Sequence, residues 1–462
     1  MTALWLAWLV PAIGGWPPSA GAADPGPGNA DREEAVRRKG EELFVRQWVP
    51  GDRRSRGGDG LGPVFNERSC LNCHDLGGTG GAGRADRNIE LITPATGGLK
   101  GANPGFFYQI AFRYGPGGFE YRIGAPTATQ ANRAGKPDPQ QLARLVQLHP
   151  GFGSAPAVLL HRYGNDLDYR TWREWLLEPH GTLSFRTSQR NPTPLFGLGM
   201  VDAIPDAVIE EGARRKIAGW PTVHGRVSRL ADGRVGRFGW KGQVATLREF
   251  VLSAAARELG LELPGHAQAA DPRIPPLPPS GLDLDQADCD ALAAYVRALP
   301  APASELPADA KDARALKAGK SLFKTTGCAA CHLPKLGDLE GLYSDFLIHE
   351  MARELSDTAS YGVFLAGPNA APAPAAAPRE QARDHEWRTP PLWGLRDSAP
   401  YLHDGRAATV DEAIRLHGGE AAAAAQRYRQ LSPRERRQLE RFLLSLTAPP
   451  ALPAENLVRA ER

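Results

Sequence analysis

Apolar residues recur at helical spacing in four stretches of the chain, and the four fall into two matched pairs. Gly40-Glu-Glu-Leu-Phe44 and Gly319-Lys-Ser-Leu-Phe323 each predict an opening helix. Leu292-Ala-Ala-Tyr-Val-Arg-Ala-Leu299 and Leu439-Glu-Arg-Phe-Leu-Leu-Ser-Leu446 each predict an amphipathic closing helix with proline after it. Two further anchors repeat between them in the same order. Pro194-Leu-Phe-Gly-Leu198 matches Pro391-Leu-Trp-Gly-Leu395, and Trp240-Lys-Gly-Gln-Val-Ala-Thr-Leu247 matches His403-Asp-Gly-Arg-Ala-Ala-Thr-Val410. A pattern that returns four times in one order predicts a mainly α chain of two domains related by duplication. The boundary falls in Pro300-Ala-Pro-Ala-Ser-Glu-Leu-Pro307, a linker by composition.

The halves are unequal. An insertion over about 79–190 is rich in glycine and aromatics, as in Gly105-Phe-Phe-Tyr108, Tyr114-Gly-Pro-Gly-Gly-Phe-Glu-Tyr121 and Trp172-Arg-Glu-Trp175, and predicts short strands and long irregular loops. Asn369–Pro378 is low-complexity and reads as a surface loop. At the start, Met1–Gly15 is apolar and Ala20-Gly21-Ala22 offers a cleavage point, so residues 1–22 read as a secretory signal peptide. That run is too short to span a bilayer, and no later segment qualifies. The expected plan is therefore a signal at 1–22, a first domain at 23–300, a linker at 301–307 and a second domain at 308–462. The expected location is the periplasm, with no membrane association after cleavage.

The 462 residues carry a formal charge of +3, too mild to argue for nucleic acid. Four of the five cysteines lie in two pentads, Cys70-Leu-Asn-Cys73-His74 and Cys328-Ala-Ala-Cys331-His332. This spacing lets two thiols add to the vinyl groups of one haem while the adjacent histidine ligates its iron, so two covalently attached c-type haems are expected. Zinc would need two more ligands at close range, and the pentads lie far apart. The fifth cysteine, Cys289, sits at helical spacing and reads as a small buried apolar side chain.

The repeat also bears on the iron ligands. His417 lies on the helix that follows the second Ala-Ala-Thr-Val anchor, and its counterpart in the first half is Ala254. If that helix crosses the distal face, the second haem is six-coordinate and suited to electron transfer, and the first is open to a small molecule. Otherwise His417 merely caps or packs. Met200 lies in an apolar run and reads as core.

The runs Phe65-Asn-Glu-Arg-Ser-Cys-Leu-Asn-Cys-His74, Phe196-Gly-Leu-Gly-Met-Val-Asp-Ala-Ile-Pro205, Arg237-Phe-Gly-Trp-Lys241, Arg388-Thr-Pro-Pro-Leu-Trp-Gly-Leu395 and Leu416-His-Gly-Gly-Glu-Ala421 resemble the dihaem oxidoreductases. These are grouped with bacterial dihaem cytochrome c peroxidases, MauG-type enzymes that oxidise protein side chains, and dihaem rubber oxygenases. The resemblance implies peroxide reduction at the first haem with electrons relayed from the second, refilled by a periplasmic small cytochrome or cupredoxin. It places His417 where the peroxidases carry a ligand of the electron-transferring haem. It puts Trp240 at their interhaem tryptophan, as relay or as plain buried aromatic. It sets Glu258 near their distal acid–base glutamate, displaced by about two residues, with Asp202 as a rival acid. Phe250 stands where the peroxidases carry glutamine, and no histidine occupies the place of their displaceable ligand. These departures leave dioxygen chemistry open, as in a rubber-oxygenase-like dioxygenase, alongside a MauG-like protein-modifying enzyme and a non-catalytic electron-transfer cytochrome. Ser398 and Pro400 match positions that hold calcium between the domains of the peroxidases, so calcium is a further candidate.

Overall fold

The computed structural model describes residues 27–95, 110–115, 118–123, 139–274 apart from 154 and 156, 280–357 and 382–450. The expected signal peptide, the Gly105–Tyr108 cluster and the Asn369–Pro378 segment lie outside the described residues. Helices carry most of the regular structure. The described strands run two to six residues, in five two-stranded pairs and one three-stranded sheet. No helix among the described residues is long and apolar enough to cross a membrane.

Two helix pairs frame the molecule, and both are built from the repeated anchors. Pro27–Val45 packs against Gln286–Arg297, and Ala310–Thr326 against Pro433–Leu443. Each crossing turns on one glycine. A Cβ on Gly40 would lie 2.1 Å from the Ala291 carbonyl oxygen and 2.6 Å from Tyr295 Cβ. One on Gly319 would lie 2.0 Å from the Gln438 carbonyl oxygen and 2.7 Å from Phe442 Cβ. Only a residue without a side chain lets the backbones approach this closely. Four residues on, Phe44 meets Tyr295 and Phe323 meets Phe442, each with ring centroids 5.4 Å apart.

The remaining anchors also match locally. Gly197 and Gly394 both adopt left-handed backbone, at φ 66° and 70°. Thr246 caps the Leu247–Glu258 helix by accepting from the Glu249 amide, and Thr409 caps Val410–Arg415 by accepting from the Glu412 amide. The larger core gathers Phe44, Trp48, Leu252, Leu292 and Tyr295 of the first half with Leu336, Leu342, Phe346 and Trp393 of the second. A smaller core holds Phe323, Tyr343, Tyr428, Leu439 and Phe442. Within the linker, Ala303–Ser304 pairs with Leu446–Thr447, the short strand that follows the Pro433–Leu443 helix.

The insertion folds around a core of its own. Ile89–Pro94 is the centre of an antiparallel sheet, flanked by Val158–Leu159 and Phe185–Arg190. Contrary to the expectation of strands and loops alone, it contains two helices, Pro139–Leu148 and Asp168–Leu176. The Trp172-Arg-Glu-Trp175 run is helical. Tyr169 and Leu176 are buried and Trp172 packs on the same core of Ile92, Leu145, Phe152 and Val158, an i, i+3, i+7 stripe hidden by the aromatic content.

Candidate functional site

Both pentads begin on a helical turn. Cys70–Cys73 is one turn capped by Ser69, whose hydroxyl accepts from the Asn72 amide, and Cys328–Ala330 is a short 3-10 turn entered through Gly327 at φ 106°. The following histidines are oriented alike. His74 Nδ1 donates to the Gly81 carbonyl at 3.0 Å, and His332 Nδ1 donates to the Tyr343 carbonyl at 3.0 Å. Such a bond orients the ring, and at His332 it leaves Nε2 as the basic nitrogen, the arrangement of a metal-ligating histidine, whereas the His74 ring also meets the Thr193 carbonyl. Burial pushes each imidazole down to about 4, keeping it neutral and able to ligate.

A cavity of about 260 Å³ opens beside the second pentad, walled by Cys328, Cys331, His332, Trp393 and His417 among others. His417 Nδ1 donates to the Ala413 carbonyl at 2.7 Å, which again leaves Nε2 uncommitted. It also stands close enough for its charged form to lower the His332 pKa further, after burial. The same cavity reaches Ala82 and Thr193, whose carbonyl bears on His74, so it extends toward the first pentad.

These residues fit haem. Burial raises all four pentad thiols, Cys70 and Cys328 to about 12, so without a bound group they stay protonated. Arg388, a buried cation on the cavity wall, donates to the carbonyls of Gly239 at 2.9 Å and Thr389 at 3.0 Å. No carboxylate forms an ion pair with it among the described residues, although the Asp345 charge partly offsets its burial, and such a wall suits an anionic propionate. Among the described residues Cys331, Asp345 and His349 also come within reach of one metal ion. His349, however, has both ring nitrogens on carboxylates, Nε2 to Asp345 at 3.0 Å and Nδ1 to Glu420 at 2.7 Å, and so has no lone pair to offer. Burial alone would lower its pKa, but the two carboxylates hold it well above the usual histidine value. This buried histidine carried no signal in the sequence, because its partners lie 4 and 71 residues away.

Trp240 lies at the junction of the halves. Its indole N–H donates to the Asn191 carbonyl at 3.0 Å, its ring meets the edge of His403 at 6.5 Å, and it lines the cavity. His403 in turn stacks on Trp387 at 3.8 Å, with Lys241 4.0 Å above the Trp387 ring.

Glu258 closes the Leu247–Glu258 helix, and its carboxylate accepts from Asn66 Nδ2 at 2.6 Å. Its charge contributes, after burial, to raising the Cys73 thiol, so it lies on the side of the first pentad. A second, hydrophilic cavity of about 200 Å³ adjoins it at Asn66, with Asn88, Glu90, Arg162 and Arg173 on its walls. By contrast, Phe238 and Phe250 line the larger cavity as a stacked pair at 5.8 Å. Asp202, the rival acid, is committed elsewhere: it accepts from the Leu247 amide at 2.8 Å and pairs with Arg297 at 2.7 Å. Ser398 turns its hydroxyl to the Gly394 carbonyl at 2.8 Å. Cys289 is fully buried.

Residues 281–446, which carry the second pentad, Arg388 and His417, match the family model described as "Di-haem oxidoreductase, putative peroxidase". That match places residues 281–446 in likeness to this dihaem oxidoreductase family. The methylamine utilization protein MauG of Methylorubrum extorquens is 31% identical over 153 residues, which are 32% of this chain and 37% of that protein. The chain thus spans little more than a third of that relative's length. Among solved structures, a MauG-like protein associated with microbial copper homeostasis aligns over 56% of this chain and 93% of its own, with 16% identity and a TM-score of 0.28. Kuenenia stuttgartiensis hydrazine synthase aligns over 36% of this chain and 57% of its own, with 22% identity and a TM-score of 0.26.

Proposed function

We propose that this chain is a periplasmic dihaem c-type oxidoreductase that reduces a small oxidant, peroxide by preference, at an open first haem, with electrons passed from a second haem closed by His417. Cys70, Cys73 and His74 would hold the first haem, and Cys328, Cys331, His332 and His417 the second. When bound, the haems supply redox-active iron.

One observation carries the reading. The two Thr-capped helices start from the same anchor, and at the eighth residue after the cap one half offers imidazole and the other the methyl group of Ala254. The matched glycine crossings, the matched aromatic pairs and the contact between Trp240 and His403, which occupy the same anchor position, support a duplication about that junction.

The side chains then have distinct tasks. Glu258, held by Asn66 and beside a hydrophilic cavity, is placed to hold and deliver a proton near the first pentad. Arg388 offers positive charge in the apolar cavity. Trp240, bonded to one half and touching the other, is placed to pass electrons between them. The test is single-turnover mixing of reduced protein with hydrogen peroxide. Peroxide reoxidises the parent, Glu258→Gln slows the reaction and changes its pH profile, and Trp240→Phe slows only the phase in which the second haem is oxidised. A parent that stays reduced sinks the peroxidase reading.

A MauG-like or oxygenase activity is favoured by a different observation. The Phe238–Phe250 pair gives the large cavity an apolar wall, and Glu258 is turned to Asn66 instead of lining that cavity. Oxidation of a protein or hydrocarbon substrate by the peroxide-treated enzyme, with little peroxide turnover, would select this alternative.

A further inference from the structure

The loop that carries His417 is tied to the rest of the second half by a largely buried chain that the proposed chemistry does not use. Glu420, three residues after His417, accepts from three donors. Oε2 takes His349 Nδ1 and the His224 amide, each at 2.7 Å, and Oε1 takes the Glu350 amide at 3.2 Å. His349 is 2% exposed and passes its other ring N–H to Asp345, which is 1% exposed. Asp345 sits two residues after Tyr343, whose carbonyl orients His332. Along this route His349 Nδ1 lies 3.7 Å from Cys331 Sγ.

The backbone closes the same joint. Gly419 has φ +52°, and a Cβ there would lie 2.2 Å from the Glu350 carbonyl oxygen, so the loop is pressed onto the Ile348–Glu350 strand. One hydrogen-bonded chain, Asp345–His349–Glu420, therefore joins the segment that orients His332 to the loop that carries His417.

We infer that Asp345, His349 and Glu420 form a clamp that fixes the spacing between the two histidines of the second haem and keeps His417 from leaving its iron. The clamp rests on the reading of His417 as that haem's ligand. Glu420 and His349 are positioning residues. His349 is buried between a buried Asp345 and a partly buried Glu420, so loss of the Glu420 carboxylate leaves a buried ring nitrogen unpaired as well as freeing the loop. Nothing of comparable geometry is needed in the first half, where Ala254 offers no ligand to hold.

The test is the number of carbon monoxide molecules bound per chain by the reduced, haem-loaded protein. The parent is expected to bind one, and His417→Ala, which removes the ligand outright, two. Glu420→Ala should bind between one and two, because loss of the clamp shifts the closed-to-open ratio of the second haem by about tenfold or more. Glu420→Gln keeps the shape and an acceptor oxygen but turns an N–H toward the donors, so it should fall between parent and Glu420→Ala. It also decides the matter alone if Glu420→Ala fails to load haem. A parent that binds one and Glu420 variants that also bind one overturn the clamp and leave the His417 reading intact. A parent that binds two overturns both, since there is then no ligand to clamp.

Discussion

Replacing Gly319 with alanine separates two opposed effects whose sign the structure decides. In an unencumbered helix interior, Gly→Ala stabilises by about 1 kcal/mol, because alanine loses less backbone freedom on folding. Here the added Cβ would stand 2.0 Å from the Gln438 carbonyl oxygen, well inside the normal contact distance of about 3.4 Å. The Ala310–Thr326 and Pro433–Leu443 helices must part by about 1 Å, which loosens Phe323, Leu439 and Phe442 in the smaller core. Overpacking of this kind costs about 1–3 kcal/mol and the lost contacts add to it, so a net destabilisation of about 2 kcal/mol remains after the helix-propensity gain. Gly40→Ala meets a carbonyl at 2.1 Å in the matched crossing and should cost about as much. Gly212→Ala is the control. Its nearest outside atom is Leu347 Cδ1 at 3.9 Å, so it should stabilise by up to about 1 kcal/mol. Urea unfolding followed by far-ultraviolet circular dichroism reads all three as shifts of the midpoint. A Gly319→Ala midpoint equal to or above the parent's would refute the close crossing.

Other outcomes follow from single contacts. Thr409→Ala removes a capping box and should cost about 1 kcal/mol, with Thr246→Ala costing a similar amount at the matched helix, both read by denaturant midpoint. Asp312 is held below its usual 3.8 by its hydrogen bond to Arg441, which ties the Ala310–Thr326 helix to the Pro433–Leu443 helix. Because the folded pKa is the lower one, the pair's contribution is present above about pH 3.8 and fades as pH falls through the depressed value, so the stability gap between the parent and Asp312→Asn should close in acid. Arg388→Met removes a buried cation that has no carboxylate partner among the described residues. Haem should still attach at both pentads, whereas the midpoint potential of the haem beside it should fall, as measured by redox titration.

Much of this arrangement could be read before any coordinates, because it is written in local spacing. The pentads, the Gly-x-x-x-Phe openings, the Thr caps and the His417–Ala254 contrast all depend on residues within a turn or two of one another. The prolines suggest a linker at 300–307, and Ala303–Ser304 within it pairs with Leu446–Thr447. What escaped depends on distant partners or on mixed signals. The Asp168–Leu176 helix was masked because its apolar stripe is made of aromatics, which also mark strands. His349 could not be told from any other histidine, since Glu420 reaches it from 71 residues away. Arg388 is notable only because the folded chain buries it with no ion-pair partner among the described residues. Glu258 is a candidate by position alone, and its engagement with Asn66 spans 192 residues and has no local trace.

The account turns on one iron being closed and the other open, and electron paramagnetic resonance of the oxidised protein addresses that directly. It should show one low-spin signal of bis-imidazole type from the second haem and one high-spin signal from the first, with His417→Ala converting only the low-spin signal. Two low-spin irons in the parent, or a low-spin signal indifferent to His417→Ala, would contradict it.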